Sequence, residues 1–274
     1  MNTILIPVDF SETSLKAISY AEIIAERLGA EMHLCHMYSP MMYSSVYGAD
    51  FVFTESVFKD MEENARQQFV PIEEALAKKN IKVKTHVIFG NLTEDLNRIA
   101  KELKCELLVA GTTGSSTVLN KIFGSNASYI LENCECPVIL VPKDYEQFEF
   151  NHIVFADDFS KDELPVIDKA LEFAHVMGVN KLDLLKVDTH SFNVFNDDSK
   201  IEKIINTYSQ KEVKLNFVLA GSFEKGFEDY CKEHSTDLLI MSTEKKSFIQ
   251  QLFSHSNTHY MAMHTKVPMM VFHV

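Results

Sequence analysis

The sequence predicts an α/β protein made of two tandem domains, each built on a mainly parallel open sheet with helices on both faces. Three observations carry this expectation. Short apolar runs of strand length alternate with longer amphipathic stretches, which is the pattern of a parallel sheet buried on both sides. The pattern begins again past residue 150. Between one strand and the next helix of the first half stands a glycine-bearing segment, Gly111 to Ser125.

Taken in order, Asn2 to Val8 reads as a first strand, with Ile4, Leu5, Ile6 and Val8 apolar. Asp9-Phe-Ser-Glu-Thr13 forms a loop in which Ser11 or Thr13 caps the following helix. That helix is expected over Glu12 to Leu28, with Leu15, Ile18, Ala21, Ala25 and Leu28 on its buried face and Gly29 as its stop. Glu31 to Tyr38 is a second strand, and Ser39 to Glu55 is rich in Met, Tyr and Phe without periodicity. Phe58, Met61, Ala65, Phe69, Ile72 and Leu76 recur at helical spacing, with Pro71 as an expected kink. Val83 to Phe89 is a third strand, Leu92 to Leu103 a helix, and Leu107 to Ala110 a fully buried fourth strand. Ser125 is the expected N-cap of a helix over Asn126 to Asn133, and Pro137 to Pro142 makes a fifth strand. Lys143 to Phe150, charged and aromatic without periodicity, reads as a linker.

Beyond it the chain repeats itself. At an offset of 149, Ile4-Leu-Ile-Pro-Val-Asp-Phe-Ser11 lines up with Ile153-Val-Phe-Ala-Asp-Asp-Phe-Ser160, Ala25 with Ala174 and Gly29 with Gly178. At an offset of 131, Glu106-Leu-Leu-Val lines up with Asp237-Leu-Leu-Ile, Asn126 with Asn257, Tyr129 with Tyr260 and Pro137 with Pro268. Domains are therefore expected at 1–143 and 151–274.

Composition bounds the function. The 274 residues are 46% hydrophobic and 24% charged, enough for real cores, and 39 acidic against 26 basic residues give a net charge of −13. That balance argues against a nucleic-acid surface or an anionic membrane, both of which attract basic patches. The N-terminal residues lack the basic and apolar segments of a signal peptide, no run approaches a membrane span, and the five cysteines are scattered as in a reducing cytosol. A cytoplasmic location is the expectation. Cys134-Glu-Cys136 is the one close cysteine pair, weighed as a redox or metal site against two small residues leading into a strand.

The strand–glycine loop–helix order offers a bare backbone and a helix N-terminus, which together suit a phosphate. Gly111-x2-Gly114-x9-Gly124-Ser125 fits neither the P-loop nor the dinucleotide spacing. It resembles the ATP-binding signature of the universal stress protein family. Pro7-Val-Asp-Phe-Ser-Glu-Thr13, His36-Met37 and the strand Pro137 to Pro142 are similar to that family as well. The resemblance spans the chain as a tandem pair and implies a five-stranded parallel domain of the adenine-nucleotide α-hydrolase-like type.

By position, the resemblance implies that Pro7 and Val8 flank the base and that Asp9 sits near the ribose and the metal-bearing phosphates. It also implies that Met37 meets the adenine edge through its backbone. Gly111, Thr112 and Gly114 would wrap ribose and phosphates, and Gly124, Ser125 and Asn126 would cradle the triphosphate tail. The ligand is expected to be ATP, or ADP or AMP, with Mg²⁺ bridging phosphate oxygens in an acidic protein. Ser115-Ser116 stand where the family often has a basic residue, which weakens phosphate affinity. The resemblance further implies pairing of the two domains within the chain, with strand 138–142 beside 269–274, and leaves room for a homodimer.

In the second copy Gly111, Gly114 and Gly124 fall on Ser242, Lys245 and His255, and Glu244 enters the loop. The ATP mode is read as lost there. The leading expectation is a regulatory ATP-binding protein with a C-terminal pseudo-copy. The alternatives are a slow ATPase on the same fold, with His36 the nearest candidate base and no catalytic residue assigned, or a module binding another ligand in its second half. Lys245 with His255 as an anion site, and His255, His259 and His264 as a metal site, are weighed against ordinary surface residues.

Overall fold

The computed structural model describes residues 1–38, 54–90, 92–112, 130–131, 134–157, 159, 163–189, 198–208, 213–243 and 267–273. They divide into two compact units, the described residues up to 143 and those from 144 onward. Each unit is an α/β fold on an all-parallel sheet.

In the first unit the order is β1 (Thr3–Pro7), α1 (Glu12–Leu28), β2 (Glu31–Tyr38), α2 (Glu55–Lys78), β3 (Val83–Phe89), α3 (Leu92–Glu102), β4 (Leu107–Thr112) and β5 (Val138–Pro142). Its strands lie in the sequence β3-β2-β1-β4-β5. Ile4, Leu5 and Ile6 of the central strand are fully buried. At about 1.5–3 kcal/mol for each buried side chain of this size, that strand alone anchors the core.

Helix α1 begins at Ser11, whose hydroxyl accepts from the Ser14 backbone, and ends at Gly29 in the left-handed region at φ 64°. Ser11 is thus the cap rather than Thr13. The buried stripe is Ala17, Ile18, Tyr20, Ala21, Ile24 and Ala25. Leu15 is 42% exposed and Leu28 half-buried, so the expected face is rotated. Ala17, Tyr20 and Ile24 take the buried places beside Ile18, Ala21 and Ala25, and Leu15 falls outside the stripe.

Helix α2 runs unbroken through Pro71, which lies on its exposed side, and buries Ala65, Phe69 and Leu76. Strand β4 extends two residues past the expected end, to Thr112, because Gly111 and Thr112 still pair with Val141 and Pro142 of β5.

The second unit contains β6 (Ile153–Ala156), α4 (Leu164–Val176), β7 (Leu182–Asp188), α5 (Asp198–Tyr208), β8 (Val213–Leu219), α6 (Phe223–His234), β9 (Leu238–Thr243) and β10 (Met269–His273). Its strands lie in the order β10-β9-β6-β7-β8. The expected linker is not a free connector. Tyr145 and Phe150 are buried, the Tyr145 hydroxyl donates to the Asp237 carbonyl at 3.1 Å, and the Phe150 ring meets Phe173 edge-on. Aromatic side chains without periodicity were packing groups here, pinned to the second unit.

Candidate functional site

In the first unit the chain goes from β1 outward to β2 and β3, then returns to place β4 on the other side of β1. The gap between the outgoing loops of β1 and β4 is a topological switch point, where open parallel sheets leave a crevice at their carboxyl ends. The residues at issue collect there because β1 and β4 are neighbours in space, with Ile4 opposite Leu107.

The loop after β1 is held by its own polar groups. Asp9 Oδ1 accepts from the Ser11 backbone at 3.0 Å and from the Ser11 hydroxyl at 2.5 Å. Between them Phe10 takes the left-handed conformation at φ 62°, the sharp reversal that lets α1 start at once. Burial alone would raise the Asp9 pKa, but the Ser11 and Ser14 hydrogen bonds prevail and hold it below the ordinary range. Asp9 is therefore an exposed, ionised carboxylate at the mouth of the crevice. It does not cap α1 itself; it orients the serine that does.

Pro7 ends β1 opposite Cys35, and Val8 is buried with its N–H donated to the Cys35 carbonyl at 2.8 Å. The Val8 carbonyl accepts from His36 Nδ1 at 2.7 Å. A carbonyl can only accept, so Nδ1 carries the hydrogen and Nε2 is the free acceptor of the neutral ring. Burial pushes the His36 pKa down, against the opposing pull of the Val8 bond and the Asp9 charge. The ring lies tilted against Phe10 and edge-on to Tyr38, with centroids 4.7 and 4.5 Å away.

The position of the Met37 main chain follows from ladder parity. Glu31 donates to Asn2, and Cys35 accepts from Val8, so odd residues of β2 turn their peptide groups toward β1. Met32 donates to Lys82, and Tyr38 accepts from Gly90, so even residues turn toward β3. Met37 is the next odd residue, past the end of β1 at Pro7. Its N–H and C=O face the crevice, and the Val8 carbonyl, the next group along on the β1 side, is taken by the His36 ring.

On the other wall Gly111 lies within β4. A Cβ there would come within 2.3 Å of the Thr13 carbonyl oxygen and 2.6 Å of Thr13 Cγ2. Gly111 is bare so that the first turn of α1 can press against β4. Thr112 is buried; its carbonyl accepts from the Lys143 backbone at 3.0 Å, and its hydroxyl turns toward the Val141 carbonyl. It serves the β4–β5 edge. The predicted site residues Gly114, Gly124, Ser125 and Asn126 lie outside the described residues, as do Glu244, Lys245, His255, His259 and His264 of the second half.

The second unit has the same switch between β6 and β9. Phe159 repeats the left-handed turn of Phe10, at φ 53°. Here Ser242 stands where Gly111 stood, and its hydroxyl reaches Asp157 Oδ2 at 2.9 Å and Glu163 Oε2 at 3.2 Å. Asp157 also accepts from the Phe159 backbone at 2.7 Å. The Ser242 hydroxyl lies between two carboxyl groups, on the strand position against which Thr13 packs in the first unit. Sequence reasoning noted Ser242 but missed its partners. The signal was present in the alignment, since Asp157 replaces Val8 and Glu163 replaces Ser14 at the offset of 149.

The model of the universal stress protein family matches this chain twice, over residues 1–142 and 149–273. Universal stress protein G of Salmonella typhimurium is 32% identical over 146 residues, covering 51% of this chain and 97% of that protein. The crystal structure of a universal stress protein from Archaeoglobus fulgidus superposes with a TM-score of 0.77 at 18% identity, over 99% of this chain and 98% of that one. A universal stress protein solved in complex with cAMP is similar over 51% of this chain and 96% of its own length, at 21% identity and a TM-score of 0.41.

Proposed function

The chain belongs to the universal stress protein family, and on that footing we propose that its first unit binds an adenine nucleotide, ATP in the first instance, as a regulatory ligand. The observation that carries the reading is the Met37 peptide group facing the crevice between β1 and β4, a donor and an acceptor on one edge as an adenine requires. Pro7 and Val8 would border the base and the ionised Asp9 would stand by the ribose. Gly114, Gly124, Ser125 and Asn126 would receive the phosphates on bare main chain. Mg²⁺ would arrive with the phosphates and lower their repulsion with an acidic protein.

The second unit is read as a pseudo-copy. Asp157 and Glu163 beside Ser242 set carboxyl groups where phosphates would otherwise pass, an unfavourable meeting of like charges. Pairing of the two units within the chain, and a homodimer, belong to the same proposal. Nucleotide occupancy could then bias assembly only through different affinities for the two states.

The test is the thermal midpoint of the full chain with and without Mg-ATP, together with calorimetric titration. A saturable rise of the midpoint is expected, one site per chain, abolished in Gly114→Val without loss of fold. An unchanged affinity in that variant, or binding that survives there and vanishes on a change at Ser242, places the ligand elsewhere and ends the reading.

A further inference from the structure

At the opposite end of the first unit's sheet, where β4 and β5 begin, three cysteines converge. Cys105 precedes β4, and Cys134 and Cys136 precede β5. Parallel pairing brings the starts of these strands side by side, with the Leu108 backbone donating to the Pro137 carbonyl at 2.9 Å. The Cys136 thiol donates to the Cys105 sulfur at 3.7 Å, and the Cys105 thiol lies 3.0 Å from the Leu107 carbonyl. Cys134 is buried, whereas Cys105 and Cys136 are half-exposed. Both line a cavity of about 210 Å³ whose wall also includes Asn97, Lys101, Lys104 and Glu135. Lys101 pairs with Glu135 at 3.0 Å. At the offset of 131, Cys105, Cys134 and Cys136 correspond to Thr236, Thr265 and Val267, so the second half lacks all three.

We propose that Cys105 and Cys136 are a modification site: a dithiol that an anionic low-molecular-weight disulfide, entering the lysine-flanked cavity, converts to an intrachain disulfide. The sulfurs need only close from 3.7 Å to the roughly 2.0 Å of a disulfide, within reach of side-chain rotation on two adjacent strands. In the first step the Cys136 thiol gives its proton to solvent and its thiolate attacks one sulfur of the small disulfide. That S–S bond breaks, one small thiolate leaves, and a mixed disulfide remains on Cys136. In the second, the Cys105 thiolate attacks the Cys136 sulfur and expels the other small thiolate. The protein loses two protons and two electrons, and the small disulfide gains them as two thiols. The cross-link joins residues 31 apart and clamps β4 to β5, which restricts the unfolded chain.

The rate carries a signature. The bond with Cys105 pulls the Cys136 pKa down, but neighbouring Cys134 and burial hold it up at about 12. Thiolate is scarce near neutrality, so cross-linking should quicken about tenfold for each pH unit between 7 and 9.

The experiment treats the full chain with oxidised glutathione, alkylates the remaining thiols and maps the peptides by mass spectrometry. The expected product is a Cys105–Cys136 cross-linked peptide, formed about tenfold faster at pH 8 than at pH 7. It should raise the thermal midpoint and be reversed by dithiothreitol. Cys134→Ser should still form it, and Cys136→Ser should lose both the cross-link and the midpoint rise. The proposal is overturned if both thiols remain alkylatable, if they stop at stable glutathione adducts, or if the cross-link joins Cys134 to Cys136 instead.

Discussion

The switch between β1 and β4 and the switch between β6 and β9 repeat one strand order, and Val8, Ser14 and Gly111 of the first are replaced by Asp157, Glu163 and Ser242 in the second. In the first, Gly111 lets Thr13 come against β4, and α1 starts at Glu12 straight after the Phe10 turn. In the second, Ser242 occupies that contact. At the offset of 149 the position equivalent to Glu12 is 161, yet α4 starts at Leu164, three residues later. Its N-cap, Glu163, makes no side-chain cap bond and turns to Ser242 instead. Pro165 stands in the first turn of α4, a place that suits a helix start, and the Glu163 carboxyl group lies against Ser242. The difference teaches that the glycine of the first copy is there for helix docking before it is there for any ligand.

The largest expected effect comes from imposing the second unit's residue on the first. Gly111→Ser should cost about 3 kcal/mol, because the new Cβ meets the backbone of Thr13 rather than a yielding side-chain end. Denaturant unfolding measures it, and a loss below about 0.5 kcal/mol would break the comparison. Tyr230→Phe probes the second unit's buried charge. Tyr230 donates to Asp183 Oδ2 at 2.6 Å, His152 Nε2 lies 3.1 Å from the same oxygen, and Asp183 Oδ1 has no hydrogen-bond partner among the described residues. Removing the hydroxyl should cost about 1.5–3 kcal/mol, read from the same unfolding curves.

Ser242→Ala should cost about 1–2 kcal/mol by leaving Asp157 and Glu163 facing each other without the hydroxyl. Ser11→Ala should cost about 1 kcal/mol as a lost cap. It should also let the Asp9 pKa rise part of the way toward the ordinary range, an effect visible by NMR titration, because the Ser11 hydroxyl supplies one of the bonds that hold it down.

Acid should separate the units with the smallest change of all. Burial lowers the pKa of His33, His36 and His86, all in the first unit. Their unfolded forms bind protons first as pH falls below about 6.5, so their share of stability is full above that pH and declines beneath it. Asp183 acts lower. Burial would raise its pKa, but its bonds from His152 and Tyr230 hold it down, so its contribution persists until pH falls past the usual carboxylate range. Hydrogen exchange between pH 7 and 5 should therefore show protection falling in the first unit while the Asp183 region of the second holds. The reverse order would refute the assignment.

Much of this was legible in the chain itself. Apolar runs of strand length marked the sheet, and Asp9-Phe-Ser11 with Gly29 marked both ends of α1, because strand burial and helix capping are local rules written in adjacent residues. The self-alignment exposed the two copies and the substitution of Gly111 by Ser242. What adjacency could not reveal was the partner of each group. The rotation of α1 that exposes Leu15, the packing of Tyr145 and Phe150 on the second unit, and the meeting of Cys105 with Cys136 all depend on elements far apart in sequence. The sequence by itself determined that there are two parallel α/β units, with glycines at 111, 114 and 124 in the first and none at the matching positions of the second. Only the tertiary structure decided that Gly111 yields to Thr13, that the Met37 peptide outlasts β1, and that Asp157, Glu163 and Ser242 meet at the second switch point. The physical reason is that strand order sets which loops become neighbours, and no local pattern encodes strand order.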